Sequence, residues 1–250
     1  MIEGKSNSTG YRERIYDEYG KRFQDAKKTF DVEASKRWAR SCSYYLRGWL
    51  PSDLSASAVD LACGGGKVLH MLLCKGYRNV EGVDISPDQV ALARQVTPSV
   101  TQDNLIAFLN RKEGAFDLIT GFDIVEHFYK DEVLELLDAS FRSLKPGGRL
   151  VLQTPNAESP WGSQHRYNDF THEIGFNPNS LTRLLRLVGY VDVECRECGP
   201  APHSLFSTVR FMLWKSLKLG MFAWNVIETG SKGSGVFTRV FVISGHKRAG

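Results

Sequence analysis

The 250-residue sequence predicts an α/β fold, in which a parallel sheet is flanked by helices and an insertion precedes the last strand. Two observations support this prediction. From residue 57 onward, short apolar stretches alternate with amphipathic stretches of helical length, which is the order of repeated βαβ units. The first apolar stretch ends at a glycine-rich turn, CGGGK, a common connection between a strand and the next helix.

The composition fits one elaborated α/β domain of ordinary globular character, with 42% hydrophobic and 24% charged residues. The net charge of 32 − 28 = +4 does not favour nucleic acid as a partner. MIEGKSNSTG lacks the apolar core of a signal peptide, and no stretch is apolar enough to span a membrane. The five cysteines form no disulfide framework, so we expect reduced thiols and a cytoplasmic location.

The elements follow in order along the chain. The predicted strands lie in SAVDLA, NVEGVDI, the start of SVTQDNLIAFLN, AFDLITGFDIVE, RLVLQTPN, VDVECREC and VFTRVFVISGHK. The helices between them stop at glycines, as in LLCKG, SLKPGG and RLVGY, and the SPDQ helix starts with a serine cap and proline. Residues 1–50 are expected to form an N-terminal helical cap on the domain of residues 51–250. That domain carries a long polar loop at 156–176 and a partly helical insertion at 199–230.

The residues that follow the first strands indicate a nucleoside site. Gly64–Gly66 permit a tight turn with close backbone approach, and Asp84 follows the next strand about 20 residues later, where a carboxylate binds ribose hydroxyls. No Lys-Ser/Thr pair follows the glycines, which excludes a P-loop. Asp60 would repel a pyrophosphate but suits a cationic amino group, and Asp103 could receive an adenine amino group. An amino-acid end, a ribose and an adenine together describe S-adenosylmethionine.

With VDLACGGG, GVDIS, TQDN, FDLITGFDIVEH and LKPGGRLVLQTPN in this order, the chain resembles the class I S-adenosylmethionine-dependent methyltransferases. The resemblance covers residues 55–195 and implies a seven-stranded Rossmann-like sheet of order 3-2-1-4-5-7-6 whose last strand is antiparallel. Ala62 stands where the family usually has glycine, which implies a slightly shifted turn. The resemblance implies cofactor contacts from Asp60, Ala62, Gly64, Gly66, Asp84, Ile85, Asp103, Asn104, Phe122 and Asp123.

The stretch DIVEH adds a polar cluster after the fourth strand. On a helix, Asp123, Glu126 and His127 would share one face. The motif is similar to one in ubiquinone-biosynthesis and small-RNA 2′-O-methyltransferases, where it is associated with a divalent ion, and His172 in DFTHEIGF matches a further ligand of the RNA branch. Three interpretations stay open: a Mg²⁺ or Mn²⁺ site of these four residues, a catalytic group of His127, His172 and Glu126, or packing beneath the cofactor.

The acceptor is expected over the carboxyl edge of the sheet, between the 156–176 loop, the 199–230 insertion and the N-terminal helices. Diffuse similarity to methyltransferases of polysaccharide biosynthesis favours O-methylation of a sugar or glycan hydroxyl. The amphipathic stretch RFMLWKSLKLGMFAW is expected either to pack as a helix on its own domain or to rest on a membrane, and the second would agree with a lipid-linked sugar. The alternatives are a quinone-precursor O-methyltransferase, an RNA 2′-O-methyltransferase and a non-catalytic binding protein of the same fold.

Overall fold

The computed structural model describes residues 15 and 29–249 of the chain. Its strands are β1 (Ser57–Leu61), β2 (Asn79–Asp84), β3 (Val100–Gln102), β4 (Phe116–Phe122), β5 (Leu144–Pro155), β6 (Val191–Glu197) and β7 (Val240–His246). Its α-helices are α1 (Val32–Tyr45), α2 (Lys67–Cys74), α3 (Pro87–Ala93), α4 (Leu105–Asn110), α5 (Lys130–Ser143), α6 (Gly162–Asn168), α7 (Pro178–Val188) and α8 (Leu205–Thr229).

The strands form one sheet of order β3-β2-β1-β4-β5-β7-β6, which confirms the predicted topology. β1, β2, β3, β4 and β5 pair in parallel, whereas β7 runs antiparallel to both β5 and β6. β6 is therefore parallel to β5. The connection from β6 to β7 leaves and re-enters the sheet at the carboxyl edge, the edge where β1, β2, β4 and β5 also end.

The alternation of side chains along each strand fills two cores, one on each face of the sheet. Val59 and Ile119 lie in the core covered by α4, α5 and α7. Ala58 and Leu118, one position away, lie in the core covered by α1, α2 and α3. Because both faces are covered, the central strands are mainly apolar, and polar residues at the ends of the strands meet at the carboxyl edge.

The structure departs from the sequence prediction in two places. The 156–176 loop contains the short helix α6, and the helix of the 199–230 insertion is longer than predicted. Of the expected N-terminal cap, α1 is a helix that packs on the sheet, while most of residues 1–28 lie outside the described residues. None of the helices in residues 29–249 is both long and apolar enough to cross a bilayer.

Candidate active site

A cavity of about 600 Å³ lies at the carboxyl edge of the sheet. The ends of β1, β2, β4 and β5 form its floor, and the start of α1 forms part of its wall. This volume is within the usual range for pockets that bind small molecules and cofactors. Its position is the one at which open α/β sheets bind their ligands.

Asp84 organises the glycine turn from the next strand. Its Oδ2 accepts a hydrogen bond from the Gly64 amide at 2.8 Å, and its Oδ1 accepts one from the Ser86 amide at 2.8 Å. Burial raises the pKa of Asp84, and these two amide donors oppose that shift. The carboxylate is thereby fixed at the cavity wall, with lone pairs left to receive hydroxyl donors.

Asp60 is the most deeply buried acid of the cavity wall, only 2% exposed. Burial raises its pKa to about 7, although the Thr120 hydroxyl opposes the shift by donating a 2.6 Å hydrogen bond to Oδ1. Nearby Asp84 raises the pKa further by repulsion. A cationic ligand group beside Asp60 would relieve both effects, as the sequence predicted for an amino-acid end.

Two residues of the wall hold a backbone conformation that L-residues seldom adopt. Ala62 has φ +50° and Asp123 has φ +52°, both in the left-handed region. Such a conformation costs about 1 kcal/mol or more for a residue with a Cβ atom, and it concentrates at functional sites. Ala62 therefore takes the turn that glycine would take with less strain.

Most of the predicted cofactor residues meet at this cavity. The predicted cofactor residues that line the cavity are Asp60, Ala62, Gly64, Asp84, Ile85, Phe122 and Asp123. Ile85 offers an apolar surface, since half of the residue is exposed. Asp60 and Asp84, predicted for the amino-acid end and the ribose, are both among the lining residues.

Three predicted cofactor residues do not line the cavity and have other partners. Gly66 starts α2, where an added Cβ would come within 3.3 Å of the Ala93 Cα, so its role is close packing against α3. Asp103 forms an ion pair with Arg111. Asn104 caps α4, accepting hydrogen bonds from the amides of residues 106 and 107.

Several side chains of the wall were not predicted from the sequence, notably Phe30, Trp38, Lys67 and Gln153. Trp38 of α1 packs edge-on against Phe122, with ring centroids 5.9 Å apart. No local signal links these two residues, because they are far apart in the chain. Gln153 was detectable in principle, since it lies near the carboxyl end of β5, beside the end of β4.

DIVEH does not form the α-helix that would align its polar side chains. Asp123 continues the pairing of β4, donating its amide to the Gln153 carbonyl at 3.0 Å, and its carboxylate accepts the Gln153 side-chain amide at 3.1 Å. A single 3-10 turn, Val125–His127, then follows. Asp123 therefore faces the cavity, while Glu126 turns away beneath it.

Glu126 is 1% exposed. Its Oε2 accepts a 3.0 Å hydrogen bond from Thr154, but its Oε1 has no hydrogen-bond partner among the residues that the structure describes. Burial, followed by repulsion from Asp123, raises the pKa of Glu126 well above its usual value. An unpaired buried carboxyl oxygen is costly, and a proton or a cation would reduce the cost.

Two histidines face this carboxyl group. His172 Nε2 lies 4.0 Å from Glu126 Oε1, and the rings of His172 and His127 meet edge to face with centroids 4.7 Å apart. The 156–176 loop delivers His172, because the amides of residues 173 and 174 bond to the Glu126 carbonyl at 2.7 and 3.2 Å. His172 Nδ1 bonds to the His165 carbonyl at 3.0 Å, which leaves Nε2 directed at Glu126.

These groups fit a divalent metal ion in part. Potential ligand atoms of Glu126, His127 and His172 lie within 4.8 Å of one another, whereas Asp123 is not in the cluster. Glu126 Oε1 has no hydrogen-bond partner in the described residues, as expected of an oxygen that binds a metal ion. His172 bonds through Nδ1 to a backbone carbonyl, as histidine ligands of metals usually do with their second ring nitrogen. One carboxylate and two imidazoles suit Mn²⁺ or a later transition metal better than Mg²⁺, which prefers oxygen ligands.

His127 connects the cluster to the cavity, because it also lines the cavity wall. Its Nδ1 lies 2.8 Å from Thr171 Oγ1, and that hydroxyl lies 2.7 Å from Asp169 Oδ1. If Thr171 donates to Asp169, it accepts from His127 Nδ1, and the lone pair of the neutral ring then lies on Nε2. The 156–176 loop therefore holds His127 in place as well as His172.

His165 adds a third imidazole on the acceptor side. Burial lowers its pKa, with Arg239 as the next cause, so the ring favours the neutral form. Its Nε2 is buried and has no hydrogen-bond partner within the described part of the chain. Arg166, in the same loop, supports the loop by donating to the carbonyls of His172 and Glu173.

Comparison with known proteins gives a consistent result. The family model described as a methyltransferase domain matches residues 30–195. A probable S-adenosylmethionine-dependent methyltransferase of Mycobacterium tuberculosis is 30% identical over 173 residues, 68% of this chain and 60% of that protein. A ubiquinone biosynthesis O-methyltransferase of Xanthomonas oryzae is 32% identical over 111 residues, 42% of this chain and 45% of that protein.

Among solved structures, the fold is similar to a SAM dependent methyltransferase from Archaeoglobus fulgidus. The TM-score is 0.63 at 20% identity, over 94% of this chain and 99% of that chain. The chain spans 60% of the length of the mycobacterial relative and 45% of the Xanthomonas one. On the family match, the sheet order and the cavity at its carboxyl edge, the chain belongs to the class I S-adenosylmethionine-dependent methyltransferase family.

Proposed function

We propose that the chain binds S-adenosylmethionine in the 600 Å³ cavity and methylates a hydroxyl oxygen of a sugar or glycan. The observation that carries the hydroxyl assignment is the position of His127, whose ring lines the cavity and is held through Nδ1 by Thr171. A hydroxyl is a poor nucleophile until its proton is removed, and imidazole is the side chain best suited to remove it near neutral pH.

Each group of the cavity has a task in this proposal. When bound, S-adenosylmethionine supplies a methyl group whose bond to sulfur breaks as the acceptor oxygen attacks. Asp60 balances the amino group, and Asp84 accepts hydrogen bonds from the ribose hydroxyls. His127 Nε2 takes the acceptor proton while Thr171 holds the ring in that orientation. Catalysis then depends mainly on aligning the acceptor oxygen with the methyl carbon.

Exposed aromatic side chains of the 156–176 loop support a sugar acceptor. Trp161, Tyr167 and Phe170 are all exposed, beside the polar ring of His165. Flat aromatic faces pack against the C–H faces of sugar rings, while imidazoles bond to the hydroxyls. Membership in polysaccharide or glycoconjugate biosynthesis and a cytoplasmic location follow as parts of the same proposal.

A phenolic quinone precursor is the second candidate acceptor, because the Xanthomonas relatives are named as O-methyltransferases of ubiquinone biosynthesis. RNA 2′-O-methylation is a weaker candidate, since the net charge of +4 offers little to a polyanion. A non-catalytic binding protein of the same fold is disfavoured, because it would not need the acids that line the cavity.

A divalent metal ion at Glu126, His127 and His172 is the alternative to His127 acting as a base, because a metal-bound Nε2 has no lone pair left to accept a proton. The ion would supply Lewis-acid polarisation of an acceptor oxygen. Because burial raises the pKa of Glu126, metal binding, which needs the ionised carboxylate, would compete with protons for that group. Titration of the chelator-treated protein with Mn²⁺, followed by its paramagnetic resonance signal, tests this apart from turnover. An unchanged signal up to millimolar Mn²⁺ would remove the metal from the proposal.

The test of the function has two stages. Calorimetry with S-adenosylmethionine comes first, and no binding would end every enzymatic proposal at once. Transfer of a labelled methyl group to pooled nucleotide sugars and glycans is then compared with transfer to phenolic quinone precursors and to RNA. We expect label in the sugar pool. Label only in phenols or only in RNA would contradict the sugar assignment.

A further inference from the structure

Helix α8 exposes an unusually large apolar surface. Leu205 and Ile227, near its two ends, are each 85% exposed. The exposed large apolar residues of this helix, here called the α8 sector, are Leu205, Phe206, Val209, Met212, Leu213, Leu217, Leu219, Trp224, Val226 and Ile227. A helix that is apolar on its outer side needs a partner to cover it, because isolated monomers rarely expose so large a patch.

The α8 sector has the shape of a membrane-surface helix. At about 100° per residue, its members cover roughly half of the circumference of the helix. The opposite side, with Ser207, Phe211 and Trp214, faces the body of the protein. Arg210 and Lys215 fall just outside the two borders of the sector. Cations at the borders of an apolar sector are typical of helices that lie in the plane of a bilayer.

Helix α8 carries only positive charges over most of its length. The sequence contains no aspartate or glutamate from residue 205 to residue 227, so nothing on this length offsets its cations. Glu228, the first acid, accepts a hydrogen bond from Trp224 at 2.9 Å. A second copy of this chain would bring a second set of the same cations to the contact. An anionic lipid surface instead provides opposite charge together with an apolar layer.

A second cavity of about 320 Å³, here called the basic cleft, lies beside the sector under α8. Its lining includes Arg47, Lys215, Lys218 and Glu197, with Lys218 bonded to Glu197 at 3.0 Å. Within residues 29–249, no carboxylate lies within ion-pairing distance of Arg47 or Lys215. Lys215 lies at the border of the α8 sector, so this pair of cations can receive a phosphate group that enters the cleft beside the sector.

The lining of the basic cleft also contains polar atoms that lack partners. Trp214 Nε1 and Glu197 Oε1 are both buried, and neither has a hydrogen-bond partner in the described part of the chain. A buried donor and a buried acceptor without partners are costly, so a ligand with both kinds of group would be favoured there. The phosphate and the hydroxyls of a lipid headgroup supply both.

We propose that α8 docks the protein on an anionic lipid bilayer, with the α8 sector in the headgroup and acyl boundary and a lipid phosphate at the basic cleft. The helix lies in the connection between β6 and β7, which leaves and re-enters at the carboxyl edge of the sheet. Docking would therefore hold the catalytic edge near the membrane. The proposal does not depend on the identity of the methyl acceptor.

Co-sedimentation of the full chain with vesicles tests the docking. We expect binding to vesicles of phosphatidylcholine with phosphatidylglycerol and much weaker binding to phosphatidylcholine alone. Leu213→Gln with Leu217→Gln should weaken binding roughly tenfold or more, because two apolar side chains no longer enter the bilayer. Lys215→Gln should weaken binding about fivefold, and on anionic vesicles only.

Leu187→Gln is the matched control, since Leu187 is an even more exposed leucine on α7, outside the α8 sector. Its vesicle binding should equal that of the unchanged protein, and melting temperatures exclude unfolding of any variant. Failure of the unchanged chain to bind, or equal binding by the double variant, would overturn the proposal. So would a dimer in light scattering that the double variant abolishes, because the sector would then be an interface between copies.

Discussion

The cofactor side of the cavity is held mainly by backbone, whereas the acceptor side is held mainly by side chains. Asp84 binds the amides of Gly64 and Ser86, all within two consecutive βα turns. On the acceptor side, His127 depends on Thr171, a residue 44 positions away. The cofactor side of the cavity therefore needs only the sheet and its first turns to fold, whereas the acceptor side also needs the 156–176 loop to be in place.

Substitution of His127 is expected to have the largest effect, because it should lower turnover and leave cofactor affinity nearly unchanged. His127→Ala should lower turnover by about 10² to 10⁴, the usual contribution of a general base. Affinity for S-adenosylmethionine should stay within about twofold, because the backbone of the cofactor side is untouched. Turnover assays and calorimetry measure the two quantities. His203→Ala, at an exposed histidine, serves as control, and an equal loss of cofactor affinity in His127→Ala would break the separation.

A pH experiment sharpens the description of the cofactor side. Because burial raises the pKa of Asp60 to about 7, a cationic ligand must displace a proton below that pH. Affinity for S-adenosylmethionine should therefore fall about tenfold for each pH unit below 7, as measured by calorimetry. Asp60→Asn should bind weakly at every pH. A flat profile in the unchanged protein would refute the contact with Asp60.

The same pKa predicts the stability of the ligand-free protein. The folded state binds more protons than the unfolded state between the ordinary pKa of 3.8 and about 7. The contribution of Asp60 to stability is therefore fully present at low pH and is lost as pH rises through this window. Asp60→Asn should gain stability relative to the unchanged protein as pH rises, as seen in melting temperatures. A constant difference would contradict the raised pKa.

A smaller effect is expected at Thr171, which positions His127 without reaching the cavity wall. Thr171→Val keeps the shape but removes the hydroxyl, so turnover should fall roughly tenfold, with the KM for S-adenosylmethionine unchanged. Thr171→Ser should restore most of the activity. The pH profile of turnover should shift in the valine variant only. Equal loss in the serine and valine variants would indicate packing instead of ring orientation.

The smallest effect concerns the strained turn. Ala62→Gly removes the Cβ atom from a left-handed conformation but adds freedom to the unfolded chain. The balance should favour glycine by about 0.5 kcal/mol in urea unfolding, with cofactor affinity little changed. Ala58→Gly in β1, where the backbone is an ordinary strand, should instead lose stability. A destabilised Ala62→Gly would mean that the turn is not under strain.

The sequence was most informative where a ligand role depends on nearby residues. Asp60, Gly64 and Asp84 follow a fixed spacing along two strand ends, and all three line the cavity. Asp103 and Asn104 also follow a strand, but the same chemistry that suits a ligand suits an ion pair or a helix cap. Sequence spacing cannot distinguish these uses, because each needs only a polar side chain after a strand.

DIVEH shows that a local sequence pattern also fails where the backbone conformation depends on a residue that is distant in the chain. The expected helix would align three side chains, but Asp123 tolerates the left-handed conformation and continues the pairing with β5. The choice depends on Gln153 as a partner across the sheet, which a local pattern does not contain. Trp38 likewise reaches the cavity only because α1 folds over the sheet edge.

The direction of β7 has a consequence for how such a protein can change. β6 and β7 are antiparallel neighbours, so together they form a long hairpin whose tip carries α8. Both strands meet the tip at the carboxyl edge of the sheet, and the ladders of β7 with β5 and of β6 with β7 contain no residue of the tip. The tip is therefore an exchangeable module. Grafting it between relatives should transfer what the enzyme docks to, while the cofactor chemistry stays in the recipient sheet.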